Sequence, residues 1–135
     1  MQDAMGHPRI RSFAGMHKLK ALIPLYNISA VLVSNDSGPA HFSAITPIRS
    51  IVLFGPETPR LYGSLGNTES ITAELACSPC VSVANQKNSA CKDPVCMRMV
   101  TPERVMESVR GVLNGDRSAR REFAQVTPGG AQGPA

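Results

Sequence analysis

Two uninterrupted apolar, β-branched runs, "SAVLV" at Ser29–Val33 and "SIVLF" at Ser50–Phe54, constrain the fold of this chain more than anything else in it. A strand that keeps one face in water alternates apolar with polar residues, so runs without alternation predict strands covered on both faces. Only a short helix fits between them, over Pro39–Ile45, ended by Thr46-Pro47. Strand, helix and strand in that order make a βαβ unit, which requires a parallel sheet and a right-handed crossover. The fold class is therefore α/β, and 135 residues suffice for one domain with its own core.

The remaining elements follow from spacing and punctuation. Leu19, Leu22, Ile23 and Tyr26 share one face of a helix predicted over Lys18–Asn27, with Pro24 expected to kink or break it. "GPETPRLYGSLG", from Gly55 to Gly66, reads as a loop rich in turn residues, followed by a third strand at Ser70–Thr72 and an irregular stretch from Cys77 to Cys96. Thr101-Pro102-Glu103 is a helix start: the threonine can cap, proline suits the first turn, and glutamate favours the positive end of the dipole. Val105, Met106, Val109, Val112 and Leu113 form the predicted buried stripe, and Asn114-Gly115 the stop. Residues 1–115 are thus expected to be the domain, and 116–135, with little to bury, a disordered tail.

Composition narrows the partners. The longest apolar runs fall far short of the roughly 20 residues that span a bilayer. The opening "MQDAMGHPRIRS" has no apolar core of the secretory type, so a cytoplasmic location is expected. The charge of +4 comes from bases near both ends, such as Arg9, Arg11, Lys18 and Lys20, and Arg117, Arg120 and Arg121. With no Trp, and Tyr only at 26 and 62, stacking platforms for single-stranded nucleic acid are lacking. Nucleic acid is therefore not an expected partner; solvated faces with some attraction for anionic ligands or membrane surfaces are.

The polar chemistry gathers in "SNDSGPAH", Ser34–His41, directly after the first strand. In open parallel sheets ligands bind beyond the carboxyl ends of the strands, where helix N-termini present free amides. Gly38 lets the backbone approach a ligand, and Pro39 suits the first helical turn. The amides of Ser37, Gly38, Ala40 and His41, with the Ser37 hydroxyl, suit a phosphate or pyrophosphate, and His41 can donate to a phosphate oxygen. Asp36 would repel such a group and suits the hydroxyls of a sugar beside it. The plainer alternative is that Asp36 or Ser37 only caps the helix and His41 is a surface residue. Gly55-Pro56-Glu57-Thr58, after the second strand, is either the other wall of the site or a simple β-turn.

Cys77, Cys80, Cys91 and Cys96 offer two thiol pairs at a spacing that permits a tetrahedral structural zinc. The alternatives are free or partly buried thiols and, least expected in a reducing compartment, disulfides.

Taken together, "VSNDSGPAHFSAI", "IVLFGPETPRLYG", "CSPC", "CKDPVCM" and "TPERVMESVRGVL" resemble the C-terminal half of glycosyltransferase family 9, the ADP-heptose:lipopolysaccharide heptosyltransferases. "FAGMHKLKALIPLYNISAVLVSNDSGPAH" is similar to that family's turn, helix and strand leading into its Asp-Ser-Gly-Pro-x-His loop. The resemblance implies one Rossmann-like half of a GT-B fold, binding a nucleotide-diphosphate sugar, ADP-heptose foremost, for inverting transfer to a lipopolysaccharide-core acceptor. It implies no metal or other cofactor for the chemistry, leaving zinc a structural role only. Carried over by motif, Asp36 meets the donor sugar, Ser37–His41 hold the diphosphate, and Gly55-Pro56 line the nucleotide side. The acceptor domain, which supplies the base, is not in this chain, so the expectation is a fragment without independent activity, cytoplasmic or peripheral at the inner membrane. Exposed apolar surface where the missing helices would pack makes a homodimer an expectation too. Two rivals stand beside this reading: another GT-B enzyme such as a nucleotide-sugar 2-epimerase, and a catalytically silent binding or interaction module. Pro24 in the helix and Thr46-Pro47 at the next turn depart from the family pattern.

Overall fold

In the computed structural model, residues 6–15, 18–85 and 88–125 are described, with backbone only for 116–125. Three parallel strands, β1 (Val31–Asn35), β2 (Arg49–Leu53) and β3 (Thr68–Ile71), form one sheet in the order β1-β2-β3. The register runs from Val31↔Arg49 to Asn35↔Leu53 and from Ser50↔Thr68 to Leu53↔Ile71. The expected α/β, Rossmann-like parallel sheet is present.

Helix α1 (Leu22–Ile28) leads into β1, preceded by a 3-10 turn at Leu19–Ala21. This is how the chain accommodates Pro24: the regular helix begins late enough to put proline in its first turn, where the missing N–H has no helical partner. The change of pitch takes Leu19 off the buried face and leaves it 60% exposed. Tyr26 stays buried, its hydroxyl donating to Pro39 O at 3.2 Å, and burial pushes its phenol pKa up. Ser29, predicted as the first strand residue, instead closes the helix: its amide donates to Tyr26 O and its hydroxyl to Leu25 O at 2.7 Å. β1 starts two residues later in consequence.

Between β1 and β2 lie α2 (Gly38–Phe42) and a 3-10 turn (Ser43–Ile45), ending at Thr46 as expected. Ala40 packs with Val52 and Phe54 on one side of the sheet, while Ile51 and Ile71 meet Val112 on the other. β2 is accordingly covered on both faces. β1 departs from the expectation: it lies at the edge of the sheet, Val31, Leu32 and Ser34 are half-buried, and Val33 is 44% exposed.

The loop after β2 contains a short helix, α3 (Pro59–Tyr62), capped where Thr58 Oγ1 accepts from the Arg60 amide. Its Thr-Pro start is the signal also found at Thr101-Pro102. A second turn of helix, α4 (Val95–Arg98), lies within the cysteine-rich stretch, clipped by an Asp93–Arg98 ion pair that holds the Asp93 carboxyl below its usual pKa.

The last helix, α5, runs over Pro102–Gln125. Thr101 Oγ1 accepts from the Arg104 amide, and hydrogen bonds at this helix start lower the Glu103 pKa. Val105, Val109 and Val112, on one face, pack over the sheet. Met106 and Leu113, one position round the helix, remain 44% and 40% exposed, unlike the predicted stripe. The predicted stop at Asn114-Gly115 does not occur. A glycine ends a helix when it turns left-handed, and Gly115 does not; the arginines, alanines and glutamate that follow favour helix. The expected disordered tail thus meets helical backbone as far as Gln125, and its remainder, 126–135, lies outside the described residues.

Two buried serines join α2's end to β2. Ser50 Oγ donates to Ser43 Oγ at 2.7 Å, which donates to Ala40 O at 2.6 Å. Ser43→Ala strands the Ser50 hydroxyl and is expected to cost about 1–3 kcal/mol in urea unfolding. Adding Ser50→Ala should cost less than the sum of the two single changes, because both act on one relay.

Candidate functional site

At the carboxyl ends of β1 and β2 the backbone continues the ladders by one rung. The Asp36 amide donates to Leu53 O at 3.2 Å, and the Phe54 amide to Ile71 O at 2.9 Å. A cavity of about 420 Å³ opens at this edge. Asn35 and Asp36 form one wall, Leu53 to Glu57 the other, and Val81 and Met97 close it.

Of the residues singled out in the sequence, Asp36, Gly55 and Pro56 meet at this cavity, and Glu57 joins them. Ser37, Gly38, Pro39, Ala40 and His41 are not in its lining. The expected anion cradle is also smaller than the sequence offered. Ser37 O accepts from the amides of Ala40, at 3.0 Å, and His41, at 3.4 Å, so both close α2's own first turn. Ala40 is core, 1% exposed. The Ser37 hydroxyl donates to Asn35 O at 3.1 Å and lies 3.3 Å from Ser34 Oγ. Only the Ser37 and Gly38 amides are left of the four. His41 Nε2 sits 3.7 Å from Asp36 Oδ1, turned toward the carboxylate rather than away from it.

The lining has a plain electrostatic character. It carries two carboxylates, Asp36 and Glu57, the amide of Asn35 and apolar side chains, and none of its residues is cationic. Such a surface accepts hydrogen bonds from neutral hydroxyls and repels phosphate.

Val81 and Met97 were not picked out from the sequence, because nothing periodic marks their segment. The structure shows what places them. The amides of Cys80 and Val81 both donate to Pro56 O, at 2.9 and 3.0 Å, and Ser78 Oγ donates to Gly55 O at 2.7 Å. The cysteine-rich stretch is thereby tied to the Gly55-Pro56 turn as its backing. Gly55 is buried beneath α4, and a Cβ there would come within 2.8 Å of Met97 Cγ and 3.4 Å of Cys96 Sγ.

The four thiols are not gathered as a tetrahedral zinc site requires. Cys80, Cys91 and Cys96 border a small, mostly apolar cavity of about 200 Å³, and Cys77 lies outside its lining, exposed. Cys80 Sγ accepts from Ser89 Oγ, and Cys91 Sγ donates to Asp93 O. Among the described residues no group of three or more His, Cys, Asp or Glu side chains is placed to hold a metal. All four cysteines are free thiols, and Cys96 is buried as packing against Gly55.

The model of glycosyltransferase family 9 (heptosyltransferase) matches residues 2–90. The chain belongs to glycosyltransferase family 9. This family 9 chain is 28% identical over 107 residues to lipooligosaccharide heptosyltransferase 2 of Campylobacter jejuni serotype O:2, covering 78% of the chain and 32% of that protein. It is likewise 28% identical over 104 residues to the serotype O:6 protein of the same name, covering 76% and 32%. Lipopolysaccharide heptosyltransferase 1 of Pseudomonas aeruginosa is 24% identical over 131 residues, covering 89% and 35%. The chain therefore spans about a third of the length of these relatives. No solved structure matches it. Among the described residues, no helix is long and apolar enough to cross a membrane.

The contact between Gly55 and α4 is open to test. Gly55→Ala in this family 9 chain is expected to destabilise it by about 1–3 kcal/mol, the usual range for overpacking. Met97→Ala in the same chain should restore part of that loss, which chemical denaturation of the single and double variants measures.

Proposed function

We propose that this chain holds the nucleotide-diphosphate sugar, ADP-heptose foremost, for inverting heptosyl transfer to a lipopolysaccharide-core acceptor, with the catalytic base supplied by polypeptide outside it. The observation that carries the reading is the cation-free cavity where Asp36, Glu57 and Asn35 stand at the carboxyl ends of β1 and β2. That lining fits the hydroxyls of a donor sugar, with Asp36 accepting from them. The diphosphate then lies outside the carboxylate wall, toward the Ser37 and Gly38 amides and the exposed His41 imidazole.

In the reaction, the base removes the proton of an acceptor hydroxyl, and that oxygen attacks the anomeric carbon from the side opposite the diphosphate. The bond from the anomeric carbon to the diphosphate oxygen breaks, and its electron pair leaves with the nucleotide. Binding the leaving group is the part this chain contributes; deprotonation is not, so donor binding without transfer is its expected behaviour alone.

Calorimetric titration with ADP-sugar and UDP-sugar donors tests the reading. The wild type should bind an ADP-sugar, and Asp36→Ala should weaken binding about tenfold or more, the loss of a hydrogen bond to a charged group. An absence of heat with every nucleotide sugar would sink the donor-site reading.

A further inference from the structure

Three of the four thiols border one small cavity, and their surroundings give each a different part. Cys80, Cys91 and Cys96 line this cavity of about 200 Å³ together with Ser89, while Cys77 does not. Cys96 is committed to packing: it is buried in α4, and its sulfur lies 3.4 Å from where a Cβ on Gly55 would stand. Cys91 is exposed and Cys80 half-buried, so these two can be reached by a reagent from solvent.

Two contacts mark Cys80 and Cys91 as a pair. The Ser89 hydroxyl donates to Cys80 Sγ at 3.3 Å and accepts from the Cys91 amide at 3.1 Å, so a single oxygen joins the first thiol to the backbone of the second. Cys91 also stands near the Arg98 guanidinium, whose pKa is raised by its bond to Asp93 and further by the Cys91 sulfur. The thiolate is the reactive form in thiol–disulfide exchange, and a cation near an exposed sulfur favours it. An accessible cysteine of this kind with a second thiol at hand is the usual arrangement for reversible oxidation.

We propose that Cys91 and Cys80 form an exchange site for a low-molecular-weight disulfide, Cys91 attacking and Cys80 resolving, which closes a Cys80–Cys91 disulfide behind the Gly55-Pro56 turn. In the first step Cys91 gives its proton to solvent and its thiolate attacks one sulfur of the small disulfide. That S–S bond breaks, and one small thiolate leaves and takes up a proton. In the second step the Cys80 thiolate attacks the Cys91 sulfur of the mixed disulfide and displaces the other small thiol. The two protein thiols together lose two electrons and two protons, and the small disulfide is reduced to two thiols. The new link backs a wall of the larger cavity, because the Cys80 and Val81 amides both donate to Pro56 O.

Mass spectrometry of the native full chain after incubation with oxidised glutathione tests this. The expected product is lighter than the reduced chain by two hydrogens and reverts on reduction. Trypsin cuts after Arg60, Lys87, Lys92 and Arg98, so peptides 61–87 and 88–92 should emerge covalently joined, with the Cys96 peptide 93–98 apart from them. Cys77→Ser should leave that link in place. Cys80→Ser should abolish it and leave one glutathione held on Cys91, an outcome that damage to the fold would not produce. A native chain that forms no internal disulfide overturns the proposal, as does one whose link joins Cys77 or Cys96. A Cys80–Cys91 link that appears only after unfolding in urea overturns it equally, since the fold would then hold the two thiols apart.

Discussion

The parallel register of β1 on β2 is the constraint on which the rest of this structure depends. It sets Ile51 and Val52 on opposite faces of the central strand, each fully buried, with Val112 of α5 above one and Ala40 of α2 below the other. A slip of one residue along β2 would exchange those faces and put each side chain against the wrong helix. The same register brings the Asp36 amide to Leu53 O and so places its carboxylate across from the Gly55–Glu57 turn. Core and cavity are thus set by one alignment, and a change in the middle of β2 is felt at both.

Much of this was legible in the sequence because it depends on local rules. Two non-alternating β-branched runs with a proline-led helix between them leave few options other than a parallel βαβ unit, and the helix ended at Thr46 as its Thr-Pro signal required. What the sequence hid depends on neighbours. The apolar run of β1 reads as a buried strand, yet burial also needs something on either side of it, and the edge position leaves Val33 half in water. Leu19, Met106 and Leu113 fit helical periodicity but lack a surface to cover them. Asn114-Gly115 read as a stop by composition alone, whereas stopping depends on a left-handed turn that the backbone does not make.

The site shows the same division. That Asp36 and Gly55-Pro56 share one cavity was legible because each follows a strand of the same parallel sheet at its carboxyl end. The backing from Ser78 to Val81 and from Met97 was not, since it depends on long-range bonds to Gly55 O and Pro56 O rather than on any local pattern. The cysteine spacing permitted a structural zinc or free thiols; that Cys96 is buried close to Gly55 could not be read from spacing. The Asp-Ser-Gly-Pro turn also divides more finely than its residue types suggest. Two of its amides serve α2, and His41 turns to Asp36, while Ser37 and Gly38 lie outside the lining of the acidic cavity.

The central claim is that the sugar of a nucleotide-sugar donor occupies the cavity between Asp36 and Glu57. An amide-resolved NMR titration of the chain with ADP-heptose tests it most directly. The account predicts saturable shifts at Asn35, Asp36, Gly55, Glu57 and Met97, with Arg49, Gly66 and Asn67 at the opposite end of the sheet unmoved. Shifts confined to that opposite end, or none at any concentration reached, would contradict it.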